Sequence, residues 1–202
     1  MRKTSTNKNG GGANTNKNGL GFEELTSLSD HFKNDLSIRY RLTDYQIKPQ
    51  YKLNGSKDYK FAVYDKIEHK QIGVITKQMQ FYNVLYQLYG IKNNNVKNWK
   101  PDEAFFNTDK KTLFIVEKKY QNRAGSVDEK VFGFNAKRIL YQNLFNTQMN
   151  EPVIPVEFIA LFNSSWWLYG PQNYHDYFDT LRNDGIKIMF DKYDDWFFGL
   201  NT

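Results

Sequence analysis

Short apolar segments with strand character recur along this chain, and segments with the apolar spacing of helices separate them. The segments FAVYD (61–65) and QIGVIT (71–76) flank a polar turn, which predicts a β-hairpin. Apolar runs bounded by turn residues predict four further strands, over 103–107, 112–121, 156–162 and 186–190. A tight polar turn joins the first two of these four strands, so we expect a second hairpin there.

Helical segments alternate with these strands. Apolar residues at spacings of three and four predict helices over 22–36, 78–89, 127–147 with an interruption at Gly133, and 174–182. Gly90 follows the second of these helices and suits a left-handed C-terminal cap. The order of helices and strands predicts an α/β (α+β) fold, in which helices flank a mixed central β-sheet.

The length and composition suit one folded domain with a tail. The chain has 202 residues, of which 40% are hydrophobic and 17% aromatic, enough for the core of a single domain. Residues 1–19 contain no large apolar side chain beyond Met1, so we expect a flexible basic tail followed by one domain over 20–202. The tail is either an arm that follows DNA phosphates or an inert leader, and the sequence favours neither.

The absence of certain residues and segments from the sequence argues against several kinds of site and cellular location. There is no cysteine, and the histidines at 31, 69 and 175 have no metal-ligand spacing, so neither disulfides nor a zinc site is expected. No apolar run approaches the roughly 18 to 20 residues of a membrane helix, and no apolar stretch marks a signal peptide. We therefore expect a cytoplasmic protein without membrane contact. The net charge of +6 favours a polyanionic partner such as a nucleic acid.

Two carboxylates and a lysine lie on the strands of the predicted second hairpin. Asp102 directly precedes the first strand, and Glu117 follows fifteen positions later on the second. Because side chains alternate along a strand, Glu117 and Lys119 point the same way and Lys118 the opposite way. Paired carboxylates beside a lysine suit Mg²⁺ and phosphodiester hydrolysis. The alternative is an ordinary strand end that emerges into water at 117–119.

The surrounding segments add a resemblance. PDEAFF (101–106), TLFIVEKKYQ (112–121), GSVDEK (125–130) and FNAKRILYQNLF (134–145) together resemble the PD-(D/E)xK nuclease superfamily, in particular a group of type II restriction endonucleases. The similarity extends from about 81 to 200, over half the chain. The three-residue motif is loose by itself, and its combination with Gln121 and GSVDEK at this spacing is more specific.

This resemblance implies a restriction-endonuclease-like fold and assigns roles to four catalytic residues. Asp102 and Glu117 are the implied Mg²⁺ ligands, Lys119 the group that orients or activates the attacking water, and Gln121 a residue that lines the site. In this superfamily a helix before the first strand sometimes supplies a third acid. Glu23, Glu24 or neither takes that place here.

Residues around the expected cleft are candidates for contacts to DNA. They are Lys118, Arg123, Lys137 and Arg138, together with Ser126 and Lys130 at the start of the helix predicted from 127. Arg123 is alternatively a solvated loop cation. The asparagines 93–95 either read adenine edges or form a polar linker, and the tryptophans 166–167 either stack on bases or pack in the core, with packing favoured.

These inferences lead to one hypothesis and two alternatives. The hypothesis is a bacterial, cytoplasmic type II site-specific deoxyribonuclease that needs Mg²⁺ and cuts double-stranded DNA to leave 5′-phosphate ends. A homodimer is expected, because two sites related by a two-fold axis match a palindromic target. The alternatives are a repair or junction-type nuclease of the same fold, and a DNA-binding module without catalysis.

Overall fold

A computed structural model describes residues 11–124, 127–150 and 153–201 and contains one mixed sheet of seven strands. The strands are β1 (Tyr40–Asp44), β2 (Lys60–Asp65), β3 (Lys70–Lys77), β4 (Glu103–Asn107), β5 (Thr112–Lys119), β6 (Val156–Phe162) and β7 (Ile186–Phe190). The helices are α1 (Gly11–Leu25), α2 (Leu28–Asn34), α3 (Gln80–Tyr89), α4 (Val127–Lys130), α5 (Gly133–Gln148), α6 (Ser164–Trp167) and α7 (His175–Asn183), and Pro49–Tyr51 forms a 3₁₀ turn. The expected α/β fold with a mixed sheet is confirmed.

The strands lie in the sheet in their order along the chain. Neighbours from β1 to β5 are antiparallel, whereas β5, β6 and β7 are parallel. Parallel neighbours need crossover connections, and these contain α4 and α5 between β5 and β6, and α6 and α7 between β6 and β7. The sheet therefore changes from antiparallel to parallel at β5.

Apolar side chains cover both faces of the sheet and form two cores. On β5, Leu113 and Ile115 join a core with α3, α5 and α7, which we call the α5 face. Phe114 and Val116 point the other way into a core with α2 and the C-terminal segment, which we call the α2 face. Burial on both faces explains why the first half of β5 is a continuous apolar run rather than an alternating one.

The N-terminal region differs from the sequence prediction. The single helix expected over 22–36 is two helices, because Ser27 caps α2 by accepting a hydrogen bond from Asp30 N–H, and the chain turns there. The helix α1 begins at Gly11, inside the segment expected to be a tail. Helix propagation from a packed residue such as Phe22 is less costly than nucleation, which accounts for the extension. Residues 1–10 of the expected tail lie outside the described residues.

Most other predicted elements are confirmed with shifted ends. The first hairpin is β2 and β3, the second is β4 and β5, and Gly90 has the left-handed φ of 72° expected of its cap. The helix predicted over 127–147 is interrupted as expected and forms α4 and α5. The strand β1 and the short helix α6 were not predicted from the sequence. Among the described helices, none is long and apolar enough to cross a membrane.

Candidate active site

The hairpin of β4 and β5 brings Asp102 and Glu117 together. Glu103 pairs with Val116 in this antiparallel ladder, so the preceding Asp102 lies beside Glu117. The backbone N–H of Lys118 donates to Asp102 Oδ2 over 2.8 Å, which fixes the carboxylate against the end of β5. Asp102, Glu117 and Lys119 all lie on the α5 face, as strand alternation predicts.

The carboxylate of Glu117 is buried, and its two oxygens have different surroundings. Oε2 lies 2.7 Å from Lys137 Nζ and 3.5 Å from Lys119 Nζ. Oε1 is buried and accepts no hydrogen bond from any described residue. Burial raises the pKa of Glu117 and the charge of Asp102 raises it further, whereas Lys119 and Lys137 lower it. A buried oxygen without a donor is unfavourable, so a ligand atom such as a cation suits this position.

Lys119 lies between the two carboxylates. Its ammonium is 3.9 Å from Asp102 Oδ2 and 3.5 Å from Glu117 Oε2, and it donates to the backbone carbonyl of Lys118 over 2.8 Å. The ring of Phe134 on α5 lies 5.4 Å from this ammonium. The lysine is partly open to solvent, so its ammonium can reach both the carboxylates and a molecule entering from outside.

Two residues that the sequence analysis did not assign to catalysis also reach the carboxylates. Lys137, expected only as a DNA contact, extends from α5 to Glu117. Gln78, directly after β3, donates from Nε2 to Asp102 Oδ1 over 3.4 Å. Gln78 has a φ of 47°, an uncommon conformation for a residue other than glycine, and such positions cluster at functional sites. No sequence spacing links either residue to the acids, because each lies on a different element.

The expectation that Lys118 contacts DNA is wrong, because this residue is buried. Its side chain points to the α2 face, where only 2% of it is exposed, and its ammonium forms an ion pair with Glu103 Oε2. It also donates to the backbone carbonyls of Glu23 (3.2 Å) and Thr26 (2.7 Å). The alternation that directs Glu117 and Lys119 to the site thus buries Lys118, and its ammonium cannot contact DNA.

The two candidates for a third acid, Glu23 and Glu24, have different surroundings. Glu24 is exposed, whereas Glu23 is partly buried near the C-terminal end of α1. Burial raises the pKa of Glu23 and the charge of Asp102 raises it as well, while Lys77, Lys118 and Lys119 lower it. Glu23 therefore lies within electrostatic reach of the site. Within the described ranges, however, no group of three or more Asp, Glu, His or Cys side chains is placed to hold a metal.

Gln121 is buried just beyond the end of β5. Its side-chain amide donates to the carbonyl of Arg123 over 2.9 Å and to Asp128 Oδ1, and its backbone N–H donates to Asn163 Oδ1 over 2.8 Å. These contacts connect β5 to the following loop and to α4. The amide nitrogen is therefore engaged by structural partners, and the acids at 102 and 117 are not among them.

The other expected DNA contacts have different surroundings. Arg123 and Lys130 are exposed near the end of β5, whereas Ser126 lies outside the described residues. Arg138 is partly buried and donates to Asn135 Oδ1 over 3.2 Å. This guanidinium lies against α5 and the turn before β7, where a Cβ on Gly185 would lie 3.9 Å from Arg138 Cζ.

The asparagine segment and the tryptophan pair have different surroundings. Asn93 Oδ1 accepts from the backbone N–H of Asn95 over 3.0 Å, and Asn93 Nδ2 donates to the carbonyl of Lys97, so Asn93 bonds within its own loop, whereas Asn94 is exposed. Trp166 and Trp167 are buried in the core on the α5 face, so the favoured packing role is confirmed. Tyr169 stays 80% exposed.

The donor set fits a single hard cation. Mg²⁺ is usually held in proteins by one or two carboxylates and completes its shell with water or phosphate oxygens. Asp102 and Glu117 provide two adjacent carboxylates, and the unpaired Glu117 Oε1 provides a buried oxygen in need of a positive partner. Lys119 adds an ammonium beside the two carboxylates, and an ammonium can donate to a water or a phosphate oxygen. Such a site is equipped for metal-assisted hydrolysis of a phosphodiester.

Comparisons with known proteins add no assignment to this geometry. The chain matches no protein-family model, no curated protein and no solved structure.

Proposed function

We propose that this chain is a Mg²⁺-dependent, site-specific DNA endonuclease of the type II restriction class. One observation carries the proposal: a buried Glu117 with an unpaired oxygen lies beside Asp102, with Lys119 between the two carboxylates. Bringing two acids together in a poorly solvated place raises the free energy of the folded protein, and such arrangements are concentrated at functional sites. The resemblance of the surrounding motifs to PD-(D/E)xK nucleases supports the same chemistry.

Each residue has a defined task in this reaction. When bound, Mg²⁺ lowers the pKa of a water molecule and offsets the charge that develops on the phosphate. Asp102 and Glu117 would hold the cation, with Asp102 fixed by the N–H of Lys118. Lys119 would donate a hydrogen bond that orients the attacking water or a phosphate oxygen. The water loses one proton as its oxygen bonds to phosphorus, the bond from phosphorus to the 3′ oxygen breaks, and that oxygen takes up a proton from solvent. The products are a 5′-phosphate and a 3′-hydroxyl.

The charge of the chain supports a DNA substrate. The net charge of +6 favours a polyanion, and Arg123 and Lys130 are exposed close to the end of β5. These two residues are proposed to contact the phosphate backbone, which sets the position of the duplex over the site. A homodimer with two such sites cuts both strands of a palindromic target. The bacterial cytoplasm is the proposed location of this activity.

The first test is cleavage of plasmid and phage DNA by the purified protein. We expect discrete fragments in millimolar Mg²⁺, a concentration suited to a hard-cation site, and intact DNA in EDTA. Glu117→Gln and Lys119→Met should each reduce the cleavage rate by on the order of 100-fold or more, because the first removes a proposed ligand of the cation and the second removes an ammonium that stabilises charge on the phosphate. Lys111→Met removes an exposed ammonium at the opposite end of β5 and serves as the matched control.

Other outcomes of this experiment support the two alternatives. Cleavage that requires branched DNA, with intact plain duplex, identifies a repair or junction-type nuclease of the same fold. DNA binding that is unaffected by Asp102→Ala, together with intact DNA of every form in Mg²⁺, identifies a binding module without catalysis. Either result contradicts the proposed restriction activity. Gel-shift measurements on the same variants separate loss of binding from loss of cleavage.

A further inference from the structure

Lys137 is held in the site by contacts from several elements. It lies in the second turn of α5, and its ammonium is 5.9 Å from the ring of Phe134 and 5.7 Å from the ring of Trp99. The carbonyl of Trp99 accepts hydrogen bonds from the hydroxyls of Tyr82 and Tyr141, which anchors this segment. These contacts limit the movement of the Lys137 side chain, which reaches Glu117 and is 24% exposed.

Lys137 makes the two oxygens of Glu117 inequivalent. Oε2 has an ammonium at 2.7 Å from Lys137 and a second at 3.5 Å from Lys119, whereas Oε1 is buried and unpaired among the described residues. A cation bound at Oε1 would lie farther from the two ammonium groups than one bound at Oε2. A cation at Oε2 would lie close to two positive charges and be repelled by them.

From this asymmetry we infer that Lys137 is a positioning residue which presents Glu117 Oε1 to one divalent cation, while its ammonium places a single positive charge beside Oε2, where a second cation would otherwise bind. The inference rests on the proposed function. In two-metal phosphodiester cleavage the ions lie about 3.5–4 Å apart and stabilise both the attacking and the leaving oxygen. Here an ammonium occupies one side of the carboxylate, so the site binds a single metal ion per chain.

The direct test counts metal ions. Mn²⁺ prefers the same oxygen ligands as Mg²⁺ and can be followed by its electron paramagnetic resonance signal. We expect one Mn²⁺ per chain for the wild-type protein bound to cleavable DNA, and none at this site in Glu117→Gln. Two ions per chain in the wild-type protein would overturn the inference, even if cleavage is observed.

Substitutions of Lys137 give a second, independent measurement. Lys137→Met should reduce the Mg²⁺-dependent cleavage rate by about 100-fold, a typical loss for one electrostatic contact to a transition state, with DNA binding retained. Lys137→Arg keeps the positive charge and should retain most of the wild-type cleavage activity. Lys111→Met is again the matched control. Thermal melting of each variant shows whether the protein remains folded.

Metal rescue distinguishes a charge role from a packing role. Once the ammonium is gone, a second ion can approach Glu117 Oε2, so raising Mn²⁺ well above the level that saturates the wild-type protein should restore part of the Lys137→Met activity. Absence of rescue in a folded variant, or wild-type cleavage by Lys137→Met, contradicts the inference. A wild-type protein that binds no Mn²⁺ and cuts no DNA contradicts the proposed function itself, so the two failures are distinguishable.

Discussion

At the scale of single residues, neighbours on one strand have opposite environments. Glu117 and Lys119 lie on the α5 face, where they face Asp102 and Lys137, whereas Lys118 is buried on the α2 face against Glu103. Strand alternation alone produces this separation. Three adjacent charged residues thus serve two purposes, with two of them in the candidate site and one in an ion pair behind it.

The raised pKa of Glu117 gives a prediction for stability against pH. A carboxyl whose pKa is higher in the folded state than its ordinary value of 4.5 contributes stability that is fully present below 4.5 and is lost as pH rises through the folded pKa. Glu117→Gln removes this titration. The melting temperature of Glu117→Gln relative to wild type, measured in EDTA, should therefore increase as pH rises above 4.5.

A matched control separates this effect from the other acids. Glu157→Gln makes the same substitution at the start of β6, at the opposite end of the strand from the site. The melting temperature of Glu157→Gln relative to wild type should not show the increase with pH that is expected for Glu117→Gln. A difference between Glu117→Gln and wild type that is constant from pH 4 to pH 8 would contradict a raised pKa for this carboxyl.

At the scale of elements, a buried polar cluster joins the hairpin of β4 and β5 to the first two helices. Glu103 on β4 accepts hydrogen bonds from the backbone N–H of Leu28, at 2.9 Å to Oε1 and 3.1 Å to Oε2, and from the hydroxyls of Tyr59 and Tyr193. Lys118 on β5 binds the carbonyls at the end of α1. The cluster provides partners for backbone groups at helix ends that would otherwise lack them.

Breaking this cluster should destabilise the fold. Lys118→Met leaves Glu103 with an uncompensated buried charge, and removing one partner of a buried ion pair typically costs about 3–5 kcal/mol. The free energy of unfolding, measured by denaturant titration, should fall by about 3–5 kcal/mol. The double variant Lys118→Met/Glu103→Gln removes both charges and should lose less. A single variant that is as stable as Lys111→Met would contradict this account of the pair.

At the scale of the whole molecule, the candidate site lies where the sheet changes direction. The strand β5 pairs antiparallel with β4 and parallel with β6, so its end is flanked by the start of β4 and the end of β6. In sheets with parallel strands, ligands bind outside the carboxyl ends of the strands. The site at Lys119 follows this rule, and α5, in the crossover after β5, covers it from one side.

Metal binding at this position should stabilise the whole domain. A ligand that binds only the folded state at ten times its dissociation constant contributes about 1.4 kcal/mol. For a chain of this size that corresponds to a rise in melting temperature of roughly 3–6 °C. We expect this rise with Mg²⁺ for the wild-type protein and for Glu157→Gln, and its loss in Glu117→Gln. Equal rises in all three proteins would indicate that the cation binds elsewhere.

The sequence alone determined the main elements and the core of the candidate site. The alternation of strand and helix patterns predicted the mixed sheet, and the two hairpins appear where polar turns separate apolar runs. The juxtaposition of Asp102 with Glu117 and Lys119 followed from a short turn and a period of two. These features depend on residues close together in the chain, where backbone geometry limits the possible arrangements.

Only the tertiary structure decided which distant residues lie near the two carboxylates of the candidate site. Lys137 comes from α5, Gln78 from the end of β3, and Glu23 from α1, and no local pattern relates them to Asp102 or Glu117. The burial of Lys118 likewise depends on Glu103 and on two backbone carbonyls at the end of α1, more than ninety positions away in the chain. Such contacts follow from how elements pack, because an element's periodicity specifies which face is buried but not which partner it meets.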